Sequence, residues 1–404
     1  MRRFDVIVIG AGGMGTAAAA HLARRGASVL AVDRFPVGHA RGSSHGQSRL
    51  IRLAYYEHPD YVPLLRRARD LWRELEQDTS QRLLVESGLL SSGPPAGDVI
   101  AGTLRSARDH GLAVERFTAH EAMARWPAFR IPKDWESVFE AEAGHLAVEA
   151  CVRGHTEVAM RHGGLIEAGH DVRGWRVEGD GVVVETTKES LGAGRLVLCP
   201  GPWAGGLLGL PDIPFTVLRK SLFWYAATSG LSSDAAATLP AFAFDTPQGF
   251  FYGFPQLDDR GLKLADHSGG QVVADPFEVD RRIDPGEQAT IEGWLDAHLP
   301  GVGRRRTAHE VCLYTMSPDG HFIVGLHPAH PQVAIAAGFS GHGFKFASVI
   351  GEVLADFALD GVARHPVGFL SAMRFAGVGA DGGAQAMGIR VADASVGRIR
   401  PAAQ

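Results

Sequence analysis

A glycine-rich turn near the start of the chain is the feature that most restricts its fold. Residues 5–9 form a short apolar run of the β-branched kind that is typical of a strand buried on both faces. GAGGMG follows at residues 10–15, and a helical stretch over residues 16–25 comes next. A second strand over residues 28–32 then ends at Asp33. Strand, glycines, helix, strand and acid together predict the first unit of a Rossmann domain.

Gly10, Gly12 and Gly15 are the three glycines of the GxGxxG pattern. Glycines at these positions allow a tight turn and a close approach of the backbone to a pyrophosphate, which the helix N-terminus then stabilises. Asp33 stands where an acidic residue accepts hydrogen bonds from an adenosine ribose. The pattern therefore predicts a site for an ADP-containing dinucleotide. By itself it leaves FAD, NAD and a βαβ unit without a nucleotide open.

Composition excludes several classes of protein. The 404 residues carry 40 Lys and Arg against 45 Asp and Glu, a formal net charge of -5, which argues against a nucleic-acid binder or a polybasic membrane-surface protein. Cys151, Cys199 and Cys312 are too far apart for a disulfide framework or a metal knuckle, so we expect no metal site and a reducing, cytoplasmic setting. No apolar run reaches the roughly 18 residues that span a bilayer, so we expect no membrane association.

The middle and the end of the chain repeat the junction of a strand with a glycine-rich segment. A buried strand over residues 195–199 runs into PGPW, and a strand over residues 333–337 runs into GFSGHG before a helix over residues 344–359. Between them, residues 213–264 are rich in β-forming segments. Strands of one dinucleotide domain thus recur along the chain with β-rich segments inserted, which predicts a discontinuous two-domain α/β fold.

Five ordered motifs carry a resemblance to a known family. They are GSSHGQSRLIR at residues 42–52, FYGFP at residues 251–255, Leu262-Lys263 with His267, VCLY at residues 311–314 and GFSGHGFKF at residues 338–346. With these motifs, residues 4–375 resemble the monomeric sarcosine oxidase and N-methyl-L-tryptophan oxidase family of D-amino-acid-oxidase-like flavoproteins. The resemblance implies an FAD cofactor and the oxidation of an amine.

The resemblance also implies a discontinuous Rossmann-like FAD-binding domain and a β-rich substrate domain with flanking helices. We assign to the FAD-binding domain residues 1–82, 145–212 and 308–375, and to the substrate domain residues 83–144 and 213–307. We expect residues 376–404, which are rich in Gly and Ala and show little periodicity, to form a flexible C-terminal tail.

On the cofactor side, the resemblance implies that Cys312 carries the FAD covalently, through a thioether to its 8α-methyl group. The alternative is a small cysteine buried among apolar residues. The predicted cofactor-binding residues are Gly10, Gly12, Gly15, Asp33, Ser43, His45, Arg49, Cys312, Gly341, Gly343 and Lys345.

On the substrate side, the resemblance implies that Arg52 and Lys345 hold the carboxylate of an amino acid and that Tyr252 lines the pocket. A guanidinium and an ammonium that converge on one carboxylate bind and orient it by charge-assisted hydrogen bonds. Arg49 lies three residues before Arg52, so an extended segment points the two to opposite sides and lets Arg49 face the flavin. The alternative for Lys345 is an ordinary charge on a helix surface.

The resemblance implies catalytic roles for Lys263, His267, Arg49 and Tyr314. Lys263 matches a lysine near flavin N5, whose positive charge promotes the reaction with oxygen. The alternative is a lysine on a strand edge. His267 matches a histidine near the substrate amine and Tyr314 a pocket tyrosine, against the alternatives of a solvated loop histidine and a packed tyrosine.

Three residues depart from the family pattern. Ser44 stands where close relatives carry His, Gln47 where they carry Asp and Ser48 where they carry Thr. They lie beside the predicted flavin-facing loop, so we expect them to affect redox tuning or the position of the carboxylate. They leave the identity of the substrate open.

Only five of the 40 cationic residues are lysines, and two of the five are Lys263 and Lys345. For the other three, Lys133, Lys188 and Lys220, we expect surface positions.

The resulting prediction is an FAD-dependent oxidase of a secondary amino acid, with oxygen as the acceptor and hydrogen peroxide as a product. Sarcosine, N-methyl-L-tryptophan and related N-methyl or cyclic amino acids are the candidate substrates. The alternatives are an FAD-dependent dehydrogenase that passes electrons to another carrier, and a non-enzymatic flavin-binding or NAD-binding protein. We expect no nucleic-acid partner and a monomer.

Overall fold

The computed structural model describes residues 1–227 and 238–376, so the predicted tail lies outside this part of the chain except for Ala376. Three β-sheets and the helices packed against them form the described fold. None of the helices in the described residues combines the length and the apolar character that crossing a membrane requires.

An eight-stranded sheet contains the glycine-rich unit at the N-terminus. Its strands are β1 (Arg2–Ile9), β2 (Val29–Asp33), β9 (Leu165–Ala168), β10 (Val172–Glu178), β11 (Gly181–Thr186), β12 (Ser190–Leu198), β19 (Ile323–His327) and β20 (His330–Ala337). They lie in the order β10, β11, β12, β1, β2, β9, with β20 beside β12 and β19 beside β20. β1 is parallel to β2 and β12, and β12 is parallel to β20. The carboxyl ends of these strands therefore meet at one edge, where an open α/β sheet binds its ligand.

A nine-stranded sheet forms most of the β-rich part. Its strands are β5 (Leu89–Gly93), β6 (Glu115–Thr118), β7 (Glu136–Glu140), β13 (Thr216–Tyr225), β14 (Ala241–Thr246), β15 (Gly249–Gln256), β16 (Leu262–Asp266), β17 (Gln271–Val272) and β18 (Arg306–Met316). Their order is β17, β13, β16, β15, β14, β5, β7, β6, with β18 paired to β13. An aromatic core that includes Phe242, Phe244 and Trp294 packs against this sheet.

A small third sheet brings the first of the five motifs into the structure. It consists of β3 (Ser48–Ile51), β8 (Gly144–Ala147) and β4 (Leu84–Val85), in that order. The helices are α1 (Gly13–Arg24), α2 (Val62–Thr79), α3 (Asp98–His110), α4 (Ala119–Arg125), α5 (Val148–Arg161), α6 (Ala204–Leu207), α7 (Pro285–His298) and α8 (Ala347–Asp360). α1 packs against α5 and α8 on the eight-stranded sheet, which fixes its N-terminus at the carboxyl edge of β1.

Three details differ from the sequence-based expectations. The helix predicted over residues 344–359 starts with the 3₁₀ turn Phe344–Phe346, and α8 follows from Ala347. The helix predicted from residue 16 begins at Gly13, because the glycine turn continues directly into the first helical turn. The boundary assigned at residue 308 falls inside β18, which pairs with β13 from Met316 to Arg306. β18 therefore belongs to the nine-stranded sheet. Local patterning shows that a segment is a strand, but it does not show which distant strand it pairs with.

Candidate active site

A cavity of about 620 Å³ lies at the carboxyl edge of the eight-stranded sheet. α1 begins beside it, at Gly13. A Cβ atom on Gly15 would overlap the carbonyl oxygen of Gly10, so only glycine lets the helix approach the strand this closely. A Cβ atom on Gly12 would instead meet only Ser44 Oγ, at 3.6 Å, and both of these residues line the cavity. The turn therefore leaves room for a ligand at the helix N-terminus.

Asp33 lines the same cavity and holds the turn together. Its Oδ2 accepts a hydrogen bond from the Ala11 backbone N–H at 2.8 Å, and its Oδ1 accepts one from the Phe35 N–H at 2.8 Å. The carboxylate thus lies at the rim, beside the glycine turn. Its predicted contact with a ribose stays a prediction.

Two buried polar atoms in the cavity wall have no hydrogen-bond partner among the described residues: Trp203 Nε1 and Thr315 Oγ1. Buried polar atoms are ordinarily paired, so these two indicate that a ligand completes the wall. A helix N-terminus with free N–H groups attracts phosphate. The cavity therefore fits an ADP-containing dinucleotide such as FAD.

Most of the predicted cofactor-binding residues meet in this wall. The lining includes Gly10, Gly12, Asp33, Ser43, Arg49, Cys312, Gly341 and Gly343. The other three lie elsewhere: Gly15 is packed behind the turn, His45 lies behind Cys312, and Lys345 lines a second cavity.

Cys312 on β18 lies against a guanidinium. Arg49 on β3 donates from Nη2 to the Cys312 Sγ at 3.1 Å and to the Ser43 carbonyl oxygen at 3.0 Å. Ser43 Oγ in turn donates to the Leu313 carbonyl oxygen at 2.6 Å. Burial opposes the thiolate, but the charges of Arg49 and His45 lower the pKa of Cys312 to about 6. The sulfur of Cys312 therefore lies among charged groups and not only among apolar ones.

Lys263 lies on β16, between β13 and β15, so the strand-edge alternative is wrong. Its Nζ is buried and donates to the carbonyl oxygens of Gly46, at 2.5 Å, and Ser48, at 2.9 Å. Burial and the charge of Arg49 lower the pKa of Lys263 well below its ordinary value. Lys263 supports the loop before β3 from behind and lines neither cavity.

A second cavity, of about 50 Å³, adjoins the first. The two share Arg49, Tyr314, Gly341 and Phe344 in their walls. The smaller cavity is also lined by the residues predicted to contact substrate, namely Arg52, Tyr252, His267 and Lys345. The structure thus brings together side chains from β3, β15, β18 and the segments that follow β16 and β20.

Arg52 is already paired inside the smaller cavity. Its Nη2 donates to both carboxylate oxygens of Glu57, at 2.8 and 2.7 Å. The guanidinium also lies against the rings of Tyr55 and Tyr56, with its carbon 4.3 and 4.5 Å from the two ring centres. Burial opposes its ionisation, but the charge of Arg52 lowers the pKa of Glu57 to about 2. A substrate carboxylate must therefore compete with Glu57 for Arg52.

Lys345 lies in the short 3₁₀ turn before α8 and is buried, so the helix-surface alternative is wrong. Its Nζ donates to the His342 carbonyl oxygen at 2.8 Å and lies 5.2 Å from the Tyr55 ring centre. Burial and the nearby charge of Arg52 lower the pKa of Lys345 to about 7. Arg52 and Lys345 are therefore close enough to influence each other's charge.

His267 and Tyr314 form a hydrogen-bonded pair where the cavities meet. His267 Nδ1 lies 3.1 Å from Tyr314 Oη. Burial and the charge of Lys220 lower the pKa of His267 to about 3, so its imidazole is neutral at physiological pH. His267 is buried, so the solvated alternative is wrong.

The three departures lie around the loop and away from the smaller cavity. Ser44 Oγ accepts from the Gly13 N–H at 3.1 Å, at the start of α1. Gln47 has a φ of 72° and its Oε1 accepts from Trp224 Nε1 at 2.7 Å. Ser48 supplies a carbonyl ligand to Lys263. Among the described lining residues of the smaller cavity, none of the three appears.

The prediction of a surface position for Lys220 is wrong, whereas Lys133 and Lys188 are exposed. Lys220 is 4% exposed, and its Nζ donates to the Ser268 carbonyl oxygen at 2.6 Å. It pairs in register with Cys312 across β13 and β18, so both side chains lie on the same face of the sheet. Composition cannot reveal this placement.

Sequence reasoning missed several residues of the two cavities. Glu57, Tyr56 and His342 line the smaller one, and Glu310 contacts His45 behind Cys312. His342 lies inside the GFSGHGFKF motif, and Glu310 directly precedes the VCLY motif, so their positions were signals that could have been followed.

The comparison with protein families agrees with this geometry. The model of the family described as FAD dependent oxidoreductase matches residues 5–357. The chain belongs to the FAD dependent oxidoreductase family, which confirms the predicted fold class, the FAD cofactor and an oxidoreductase activity.

Particular relatives narrow the place of the chain within that family. Monomeric sarcosine oxidase of Bacillus sp. (strain NS-129) is 39% identical over 376 residues, which cover 92% of this chain and 97% of that protein. N-methyl-L-tryptophan oxidase of Escherichia coli (strain K12) is 37% identical over 364 residues, 89% of this chain and 95% of that protein. The predicted resemblance to this group is thereby confirmed.

A solved structure shows the same fold. NikD, an unusual amino acid oxidase essential for nikkomycin biosynthesis, superposes with a TM-score of 0.80 at 25% identity, over 92% of this chain and 98% of that one.

Proposed function

We propose that this chain is an oxidase of secondary amino acids that releases hydrogen peroxide and carries its FAD covalently on Cys312. One observation carries the proposal. The small charged cavity with Arg52 and Lys345 shares Arg49 and Tyr314 with the large cavity that contains Cys312. A carboxylate-bearing substrate therefore fits beside a dinucleotide. The names of the relatives, sarcosine oxidase and N-methyl-L-tryptophan oxidase, favour an N-methyl amino acid over other amines.

The carboxylate of the substrate binds Arg52 and Lys345. Arg52 presents a planar pair of donors, and the Tyr55 and Tyr56 rings hold that plane in place. The substrate carboxylate shares the Arg52 guanidinium with Glu57, and the ammonium of Lys345 in the same cavity offsets the added negative charge. The cavity accordingly selects a substrate with a carboxylate and rejects a simple amine.

The amine of the substrate lies toward His267 and Tyr314. Because the imidazole of His267 is neutral, it neither repels a cationic amine nor protonates a neutral one. Loss of hydride equivalents from the carbon beside nitrogen requires the nitrogen lone pair, so the neutral amine is the reactive form. When bound, FAD supplies the oxidation of this C–N bond and the transfer of the electrons to oxygen.

The function is tested with the purified full-length chain. We expect sarcosine, N-methyl-L-tryptophan or a cyclic secondary amino acid to bleach the flavin absorbance without air and to release peroxide in air. Bleaching without peroxide would favour the dehydrogenase alternative. No bleaching by any of these amino acids would refute the proposed substrate class.

We propose that the positive charge of Lys263 favours the reaction with oxygen. Burial and Arg49 oppose the ammonium and lower the pKa of Lys263, but its two carbonyl acceptors favour the charged form, which lies behind the loop before β3. Lys263→Met should slow flavin reoxidation by about 100-fold, the scale of one lost preorganised charge, while flavin reduction changes little. Stopped-flow measurement of the two half-reactions checks this, with the exposed Lys188→Met as the control. Equal losses in both half-reactions would contradict the role.

The covalent link is tested by acid precipitation. We expect the yellow colour to stay with the precipitated polypeptide, and Cys312→Ala to release it. Colour that leaves wild-type protein with the supernatant would refute the link while leaving the oxidase reaction intact.

We also propose the two-domain division given above, with β18 moved to the substrate domain because it pairs with β13. The monomeric state and the cytoplasmic location stay predictions, the first from the resemblance and the second from the cysteines.

A further inference from the structure

An imidazole and a carboxylate lie behind the Cys312 thiol, which lines the larger cavity. Glu310 and Cys312 are two residues apart on β18, so their side chains lie on the same face of the strand. His45, from the loop before β3, is 2% exposed, and its Nδ1 lies 3.0 Å from a carboxylate oxygen of Glu310. Its Nε2 is buried and has no well-aligned hydrogen-bond partner among the described residues, and Cys312 is the thiol with which this ring interacts.

The tautomer of this imidazole follows from its partner. A carboxylate accepts hydrogen bonds and does not donate them, so Nδ1 carries a proton and donates a hydrogen bond to Glu310. Nε2 is then the ring atom left for the thiol. Burial opposes the imidazolium, but its interactions with Cys312 and Glu310 raise the pKa of His45 to about 9.

Many charged groups act on Cys312 from the elements packed around it. The cations are Arg49, His45, Lys263, Lys220 and Arg281, and the other titratable groups are Tyr252 and Tyr314. Glu310 is the acidic group bonded to one of these cations, and it pairs also with Arg260 at 3.6 Å. A negative charge placed directly on a thiolate would disfavour it, whereas a negative charge on the far side of an imidazole keeps that imidazole protonated.

We infer that Glu310 is a positioning residue: it holds His45 with a charged ring against Cys312, and so keeps the sulfur as a thiolate in the flavin-free chain. The thiolate is the form in which a cysteine bonds to another atom, which makes this the form suited to flavin attachment. The use of the thiolate in flavin attachment rests on the proposed covalent link. The charge state of Cys312 is independent of that link.

Cys199 provides an internal comparison, because it lines the same cavity. Among the described residues, no charged neighbour offsets its desolvation, and burial alone raises the pKa of its thiol. Cys151 is buried away from the cavity, and burial raises the pKa of its thiol as well. The chain thus contains one cysteine, Cys312, beside the Glu310–His45 pair, and two cysteines, Cys151 and Cys199, for comparison.

The experiment measures alkylation of each cysteine in the flavin-free full-length chain, produced in a riboflavin-limited host. Iodoacetamide reacts with the thiolate, and peptide mass spectrometry gives the rate at each cysteine between about pH 5 and pH 10. We expect Cys312 to react with a midpoint near pH 6, and Cys199 to react slowly throughout. A wild-type midpoint near the ordinary thiol value of about 8.5 would overturn the inference.

Glu310→Gln tests the role of the carboxylate. We expect it to raise the Cys312 midpoint by about one pH unit, because the neutral amide no longer favours the imidazolium. Asp258→Asn is the matched control, since Asp258 also pairs with Arg260 but does not contact His45, and it should leave the midpoint in place. An unchanged midpoint in Glu310→Gln would show that Arg49 alone sets the charge of the thiol.

A second variant covers the case in which Glu310→Gln does not fold, as judged by circular dichroism. His45→Asn removes the ring through which Glu310 acts, and should raise the Cys312 midpoint by at least as much. An unchanged midpoint in that variant would overturn the inference.

Flavin attachment is then measured separately, by adding FAD to the flavin-free chain and precipitating samples with acid over time. Slower attachment in Glu310→Gln supports the inference. If wild type has a low Cys312 midpoint but attaches no flavin, the proposed link is refuted and the role of Glu310 is kept. Failure of the one proposal can therefore be distinguished from failure of the other.

Discussion

The two adjoining cavities are built in different ways. The wall of the larger one depends on backbone geometry: glycines lie where a Cβ atom would overlap a neighbour or project toward the ligand. The wall of the smaller one depends on charge, because Arg52, Glu57 and Lys345 are buried beside one another. Geometry of the first kind requires particular residues at fixed spacing. Charge balance of the second kind can be reached by many arrangements.

The largest effect is expected from a change in the glycine turn that forms the wall of the larger cavity. Gly15→Ala should prevent correct folding, because its Cβ atom would overlap the Gly10 carbonyl oxygen and backbone cannot move aside cheaply. Gly12→Ala should fold but bind FAD at least about tenfold more weakly, because its Cβ atom takes space on the cavity side.

Thermal unfolding and flavin content of the two glycine variants measure this difference. If Gly15→Ala were yellow and as stable as wild type, the close approach of α1 to β1 would not be required.

The second effect breaks the charge balance. Arg52→Leu should lower kcat/KM by about 100-fold or more, because the carboxylate loses its bidentate partner. It should also destabilise the fold by about 3 kcal/mol, because Glu57 becomes an unpaired buried charge. Steady-state kinetics and urea unfolding measure the two losses. Arg116→Leu, which removes an exposed pair with Glu136, is the control and should change neither.

The third effect concerns pH. The pKa of Lys345 is about 7, so its ammonium is present below that pH and is lost above it. Affinity for an unreactive carboxylate should therefore fall above pH 7, by up to about tenfold per pH unit. Glu57, with a pKa of about 2, and His267, with a pKa of about 3, do not titrate in this window.

Titration of flavin absorbance with the unreactive carboxylate measures that affinity. Lys345→Met should bind weakly at every pH and remove the slope. An affinity in wild type that stays constant from about pH 6 to pH 9 would contradict the role of the ammonium.

The smallest effect concerns shape. Tyr56 packs against Arg52 and faces Phe250, with 5.7 Å between the ring centres, at the wall of the smaller cavity. Tyr56→Gly should favour N-methyl-L-tryptophan over sarcosine by about tenfold in relative kcat/KM, because a ring is removed from the wall. Tyr56→Phe keeps the ring and should not change the preference. If both variants showed the same substrate preference, another part of the cavity wall would limit the size of the substrate.

Much of the larger cavity could be predicted from the sequence, because its geometry is local. The strand, the glycine turn and the helix that form it, β1 to α1, lie within one short segment. The smaller cavity was predicted only as residues with a family resemblance. Glu57 was missed although it lies close to Arg52 in the chain, because pairing depends on which way both side chains turn when they are buried.

The same reason explains the errors. The boundary at residue 308 falls inside β18, because the partner that gives this strand its place, β13, is distant in sequence. Lys220 was expected at the surface because nothing near it in the chain shows that carbonyl oxygens of Ser268 and Gly269 will meet its ammonium.

The sequence by itself determined the Rossmann unit, the family and the cofactor, because each depends on residues at short, fixed spacing. Only the tertiary structure decided which charged groups lie beside one another. Glu310 lies 265 residues from His45, and Cys312 lies 263 residues from Arg49. The pKa that each of the three cysteine thiols takes depends on contacts over such separations, because the cost of burying a charge is set by neighbours in space. The electrostatics of both cavities therefore belong to the folded chain alone.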